Sequence, residues 1–181
     1  MAFDGVRIAS GGLDTTVRVW DAETGYTLLL TILDSLLKLL VFWLTSKCIA
    51  LLQGHTALVC EVHLSPTMLV TGGSDGRVIT FSLDNYQTLH RIAAHDSSVT
   101  ALQFDKDHLV TGGNDGRVKL YETQTGAFIR ELSDPSQSVW KVGFVRGLYA
   151  VMCKRGGKTV AEIWSLRPKS KRSMRKERRH I

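Results

Sequence analysis

A chain of 181 residues with 44% hydrophobic side chains is long enough to bury one good core. Its net charge of +6 would suggest a nucleic-acid binder until the charge is located. Eight basic residues against one Glu between Arg167 and Ile181 put +7 on that end and leave −1 for everything before it. The three cysteines, Cys48, Cys60 and Cys153, have no CxxC spacing, which argues against a disulfide framework or zinc site and for a reducing compartment. MAFDGVRIAS lacks a basic region followed by an apolar core and does not read as a secretory signal.

In chain order, the first recognisable unit is Ser10-Gly11-Gly12-Leu13-Asp14 followed by Val17-Arg18-Val19-Trp20-Asp21. It returns as Thr71-Gly72-Gly73-Ser74-Asp75-Gly76-Arg77-Val78, and again about forty residues later as Thr111-Gly112-Gly113-Asn114-Asp115-Gly116-Arg117-Val118. His55 and His95 precede Asp75 and Asp115 by the same distance. A degraded fourth copy starts at Ser138-Val139-Trp140 and ends at Ile163-Trp164, with Lys154-Arg155-Gly156-Gly157 in place of the Asp turn.

The interval between the first two copies is about sixty-one residues, some twenty-one too long. The excess falls in Tyr26 to Lys47, an apolar run unlike the rest of the chain. A membrane-spanning helix would place Asp34 and Lys38 in mid-span at high cost. A lid loop would normally be more polar or structured. The favoured reading is a retained intron translated in frame, because the run starts and stops at a repeat boundary.

Within a unit, short apolar alternations such as Val59, Val62, Leu64 or Val99, Ala101, Leu102, Phe104 read as strands, and the Asp-Gly pairs mark tight hairpins. One unit is then four antiparallel strands, near 98–104, 108–111, 117–121 and 127–131. A single such sheet cannot cover its own faces, so units must stack. The histidines, hydroxyls and aspartates contain the ingredients of a hydrolase triad, but a catalytic constellation would not be duplicated from unit to unit. The Gly-rich turns lack phosphate-loop spacing, and no metal-ligand cluster or cofactor motif is found.

Gly54-His55, the Ser/Thr-Gly-Gly-x-Asp turn and Trp20-Asp21 resemble the signatures of the WD-repeat family over about residues 5–25 and 48–166. The resemblance implies an all-β propeller fragment of about three and a half four-stranded blades. Residues 1–25 would be a partial repeat, 48–89 and 90–132 repeats, and 133–168 a degenerate closing repeat. An apolar helical insertion at 26–47 and a disordered basic tail at 169–181 complete the expected organisation. It further implies that Ser10, Asp14, Trp20, His55, Thr71, Asp75, His95, Thr111 and Asp115 form a buried structural hydrogen-bond network. Phe81 and Tyr121 stand where the family prefers Trp, and Ala94 replaces Gly before His95.

The closing stretch from Ser138 to Pro168 resembles the last blade of fungal F-box/WD-repeat proteins of the cell-division-control type. That family selects substrates for an SCF-type ubiquitin ligase, usually by reading a phosphorylated degron. The resemblance implies a non-catalytic protein–protein scaffold in nucleus or cytoplasm. Its partners would be proteins, phosphorylated ones where the propeller is complete, with no small-molecule substrate and no specific nucleic acid. No F-box is found here, so the chain is expected to be the later half of such a subunit.

The alternatives are a general WD-repeat adaptor and a membrane-anchored fragment held by residues 26–47. Trp140 is the candidate partner-binding residue. The family's phosphate-reading arginine positions are occupied here by Cys60, Thr100 and Trp140, and by Leu13, Ser74 and Asn114. In the tail, Lys169, Lys171, Arg172, Arg175, Lys176, Arg178 and Arg179 form a candidate nuclear-import signal without aromatic stacking residues.

Overall fold

The computed structural model describes residues 1–22, 47–145 and 147–165. The helical insertion and the disordered tail expected from the sequence lie outside the described residues, as does the membrane-span reading, apart from Lys47 at the edge of the first. Among the described residues no helix is long and apolar enough to cross a membrane.

Four antiparallel meanders follow one another. The first sheet is β1 (Ala2–Phe3), β2 (Arg7–Gly11), β3 (Val17–Asp21) and β4 (Cys48–Leu52). The second is β5 (Val59–Leu64), β6 (Met68–Gly73), β7 (Arg77–Ser82) and β8 (Thr88–Ala93). The third is β9 (Val99–Phe104), β10 (His108–Gly113), β11 (Val118–Glu122) and β12 (Phe128–Glu131), close to the strands expected from the alternation. Among the described residues the fourth has three strands, β13 (Ser138–Val145), β14 (Leu148–Arg155) and β15 (Lys158–Ser165).

The sheets stack face to face, and the core is three apolar layers between successive sheets. The first layer sets Ala9, Val17 and Val19 against Val59, Val62, Leu69 and Phe81. The second sets Val70 and Val78 against Val99, Leu102, Leu109 and Tyr121, and the third sets Val110, Val118 and Leu120 against Val139, Val142, Tyr149 and Val151. Because β6 and β10 are covered on both faces, almost every residue in them is buried. Among the described residues β14 is covered on one face, and its burial alternates: Tyr149, Val151 and Cys153 point inward, Leu148, Ala150 and Met152 outward.

The described chain on either side of the apolar insertion is tied together. The Asp21 N–H donates to the Lys47 carbonyl at 3.1 Å, just as Ser82 N–H donates to Gln87 and Glu122 N–H to Ala127, both at 2.9 Å. The extra residues therefore occupy the β3–β4 turn, which in the second and third sheets is four residues long, 83–86 and 123–126.

Candidate functional site: buried clamps beneath an exposed rim

At one end of the stack lie the β2–β3, β6–β7, β10–β11 and β14–β15 turns and the connections that lead from each sheet to the next. In the second sheet, His55 Nδ1 is 3.1 Å from Asp75 Oδ1, and its Nε2 is 2.9 Å from Thr71 Oγ1. The third sheet repeats this, with His95 Nδ1 3.0 Å from Asp115 and Nε2 2.9 Å from Thr111 Oγ1. Each aspartate also accepts backbone N–H groups: Asp75 from Thr56 and Arg77, at 2.8 and 3.1 Å, and Asp115 from Asp96 and Arg117, at 3.2 and 3.1 Å. Since the histidine belongs to the incoming connection and the aspartate to the hairpin, the set clamps one to the other.

Both threonines are fully buried, with 0% exposure, so neither hydroxyl can meet a substrate. Burial pushes the His95 imidazole below its usual range, against the pull of Asp115, which favours the neutral ring. A neutral ring must donate from Nδ1 to the acceptor-only carboxylate and accept the Thr111 hydroxyl at Nε2. Burial alone would raise the Asp75 and Asp115 carboxyls, but the backbone N–H groups and the histidines outweigh it and hold both below the usual range.

The aromatic that closes each set differs. In the first sheet Trp20 Nε1 donates to Ser10 Oγ at 3.0 Å. Phe81 has no donor, and Thr71 Oγ1 instead reaches the Ile79 carbonyl at 3.3 Å. The Tyr121 hydroxyl lies 3.5 Å from the Ala94 carbonyl. Asp14 is not brought to a histidine among the described residues. It accepts from Thr16 Oγ1 at 2.8 Å and pairs with Arg18 at 2.7 Å, and the Arg18 hydrogen bond pulls its carboxyl down to about 2.

The fourth sheet holds its turn by other means. Gly156 and Gly157, with φ of 58° and 75°, form a two-residue hairpin between Arg155 and Lys158. Arg155 donates to the Asp134 and Pro135 carbonyls at 2.9 and 3.2 Å and pairs with the buried Glu162 at 3.3 Å. An arginine thus ties the incoming connection to the hairpin where the histidine and aspartate are missing.

The Gly-Gly pair has a role that sequence reasoning missed. A Cβ on Gly11, Gly72 or Gly112 would stand 2.5–2.6 Å from Cγ1 of Val59, Val99 or Val139 on the following sheet. A Cβ on Gly73 would collide with His55 Nδ1 and Asp75 Oδ1. The first glycine therefore admits the next sheet and the second admits the clamp. The signal was present, since Val59, Val99 and Val139 recur at the same forty-residue interval.

Above the clamps runs an exposed rim. Cys60, Thr100 and Trp140 are each left out of the ladder by a bulge in the innermost strand of their sheet, which turns them away from the pairing pattern. Cys60 Sγ lies 3.1 Å from Ser74 Oγ, Thr100 donates to the Val139 carbonyl at 2.5 Å, and Trp140 remains 45% exposed. Leu13 and Asn114 are exposed and Ser74 half-buried, so the sheet-end positions named above carry no cation. The basic tail positions lie outside the described residues.

The protein-family model described as "WD domain, G-beta repeat" matches residues 1–21, 46–82 and 86–122, which take in the first two sheets, the third up to β11, and both histidine clamps. The chain belongs to the WD-repeat family. WD repeats form a protein-interaction scaffold, generally non-catalytic, and the buried clamps described here are scaffold chemistry. Among curated relatives, F-box/WD repeat-containing protein sel-10 of Caenorhabditis elegans is 33% identical over 126 residues, which is 69% of this chain and 18% of the relative. Cell division control protein 4 of Saccharomyces cerevisiae is 25% identical over 185 aligned residues, 91% of this chain and 21% of the relative. This WD-repeat chain therefore spans about a fifth of the length of either.

Two computationally designed proteins are similar in structure. Ika4 is 26% identical with a TM-score of 0.71, covering 91% of this chain and 88% of Ika4. Ika8 is 27% identical with a TM-score of 0.68, covering 92% of this chain and 45% of Ika8.

Proposed function

We propose that this chain supplies blades to the substrate-recognition propeller of an SCF-type ubiquitin ligase. It takes no part in the chemistry and presents the rim at Trp140 to a protein partner. The observation that carries the reading is the similarity to two proteins of the F-box/WD and cell-division-control type over 69% and 91% of the chain. Phosphate recognition needs several charge-assisted donors converging on one point, preferably Arg forks, and the described rim offers Cys60, Thr100 and Trp140. The phosphate-reading residues therefore belong to other blades, and Trp140 serves as an apolar wall for a Pro or Leu beside the phosphosite. The same lack of cations favours a second reading, a general WD-repeat adaptor for unphosphorylated partners. The test is a titration of a phosphothreonine-proline peptide against this chain and against a longer chain carrying additional upstream blades. Binding only by the longer chain, weakened by Trp140→Ala with folding intact, supports the proposal. Tight phosphate-dependent binding by the 181-residue chain alone, or none by either, refutes it.

The tail is proposed to direct nuclear import through Lys169, Lys171, Arg172, Arg175, Lys176, Arg178 and Arg179. Replacing them with Ser or Gln should move a tagged protein from nucleus to cytoplasm, and an unchanged distribution would count against the signal.

A further inference from the structure

At the end of the stack away from the clamps, the first two junctions are finished differently. At the first, Leu83 opens the β7–β8 turn and is buried in the same layer as Leu52, Leu69 and Phe81, with Leu64 and Tyr86 packed beside it. Arg7 crosses that junction and donates to the Pro66 carbonyl at 2.6 Å. Neither side chain recurs at the second junction. Thr123 takes the place of Leu83: its N–H donates to the Asp107 carbonyl at 3.0 Å, as Leu83 N–H donates to Thr67 at 2.9 Å. Met68, opposite Ser82, takes the place of Arg7, opposite Asp21.

A cavity of about 450 Å³ opens here, lined by Pro66 and Met68 of the second sheet and by Phe104 and Thr123 of the third. That volume falls within the range of about 300–1,000 Å³ typical of ligand sites. Beside it the His90 ring donates to the Gln124 carbonyl at 2.8 Å, which holds the two sheets at this spacing. Thr123 is 2% exposed, and its Oγ1 is buried with no hydrogen-bond partner among the described residues. Buried hydroxyls are as a rule partnered, as Thr71 and Thr111 are by their histidines. The charged residues of the lining cancel. Asp105 and Lys106 are adjacent and of opposite sign, and His63 lies 3.4 Å from Glu61.

We propose that this cavity receives a tyrosine or tryptophan side chain from a segment of a partner protein, at the end of the stack opposite the rim. The occupant must bring an apolar body for Met68, Phe104 and Pro66 and a neutral donor or acceptor for Thr123 Oγ1. Aliphatic side chains lack the polar edge, short polar ones lack the body, and charged ones meet no net opposite charge. Tyr and Trp carry both parts, and the Met68 thioether favours an aromatic ring. The cavity is larger than one such ring, which leaves room for the backbone that carries it and assigns the ring to a polypeptide. The site lies away from Trp140, so it does not depend on what the rim binds.

The experiment is NMR on the 181-residue protein labelled at its methionine methyls, with circular dichroism to check that each variant retains the sheet signal. The probes are capped alanine pentapeptides with a central Trp, Tyr or Leu, and N-acetyltryptophanamide. The Trp and Tyr peptides should shift the Met68 methyl signal saturably, binding about fivefold or more tighter than the Leu peptide or the free amide. Thr123→Leu, which restores the packing of the first junction, should abolish the shift. Thr123→Val keeps the shape and removes the hydroxyl, so it should weaken the Trp and Tyr peptides about five- to tenfold and leave the Leu peptide unchanged. Leu51→Ser, exposed on the first sheet, should alter nothing. No Met68 shift with the Trp and Tyr peptides overturns the proposal, as does binding that survives Thr123→Leu or ignores Thr123→Val. Equal binding of the Trp peptide and the free amide would give the cavity to a small aromatic molecule and overturn the assignment to a partner protein.

Discussion

The junction between the second and third sheets allows one perturbation to be followed quantitatively. Gly72→Ala places a methyl 2.6 Å from Val99 Cγ1 and 3.0 Å from Val99 Cβ, with Glu61 Cβ at 3.5 Å on the other side. Val99 is itself fully buried and cannot swing into solvent. Overpacking of this kind costs about 1–3 kcal/mol. Val99→Ala removes two methyls from the same layer, worth about 1.6 kcal/mol by transfer and about 2–3 kcal/mol with the cavity. If the two changes were independent, the double variant would lose about 3–6 kcal/mol by adding those figures. Because the alanine methyl of one fills the space vacated by the other, the double variant should lose only about 2–3 kcal/mol, a coupling of about 1–3 kcal/mol. Urea denaturation followed by Trp fluorescence would measure all four corners of the cycle. Strict additivity would show that the glycine is there for its turn and not for the neighbouring sheet.

Acidification gives a second expectation. His95 has a folded pKa below its unfolded value of 6.5, so below that pH the unfolded chain takes up a proton that the folded chain refuses. Stability is therefore full above about pH 6.5 and falls as pH drops. Asp75 and Asp115, held below 3.8, extend the loss once the pH falls through the carboxylate range. His95→Gln should flatten the upper part of that profile in pH-resolved denaturation. Thr15, a β-branched residue at φ 65°, stands where the later turns have Gly76 and Gly116 at 72° and 78°. Thr15→Gly should therefore raise stability, by about 0.5–1 kcal/mol after the entropic cost of glycine, and a loss on chemical denaturation would contradict this. Deleting residues 26–46 leaves 22–25 as a four-residue β3–β4 turn closed by the Asp21–Lys47 bond, so the shortened chain should be more soluble and keep the parent's sheet signal. Greater aggregation would mean that the segment supports the fold.

How much of this was legible in the sequence depended on whether a residue's job lay within its own repeat. The strands of the third sheet follow from the alternation Val99, Ala101, Leu102, Phe104, and the hairpins from Asp115-Gly116, because period and turn chemistry are local. The grouping of His95, Thr111 and Asp115 was legible through recurrence: three residues that return together at fixed spacing must meet. The Asp14 turn was harder, since the first repeat in the described residues offers no histidine and its carboxylate turns to Arg18.

What stayed hidden was the traffic between repeats. Gly72 reads as part of a turn when taken with Ser74-Asp75-Gly76, and nothing in its own repeat says that Val99 needs the space. The anchoring of the last hairpin by Arg155 was hidden for a related reason, because Lys154-Arg155-Gly156-Gly157 reads only as a departure until Asp134 and Pro135 are placed beneath it. In a stacked array a residue is specified by two neighbours, one along the chain and one across the junction. The same accounting predicts that transplanting a methionine into Gly112, where Val139 is present, should disrupt the third junction by more than the roughly 1–3 kcal/mol of ordinary overpacking. Pairing it with Val139→Gly should recover part of the loss, and failure of that rescue in denaturation experiments would show that Gly112 is not there to admit Val139.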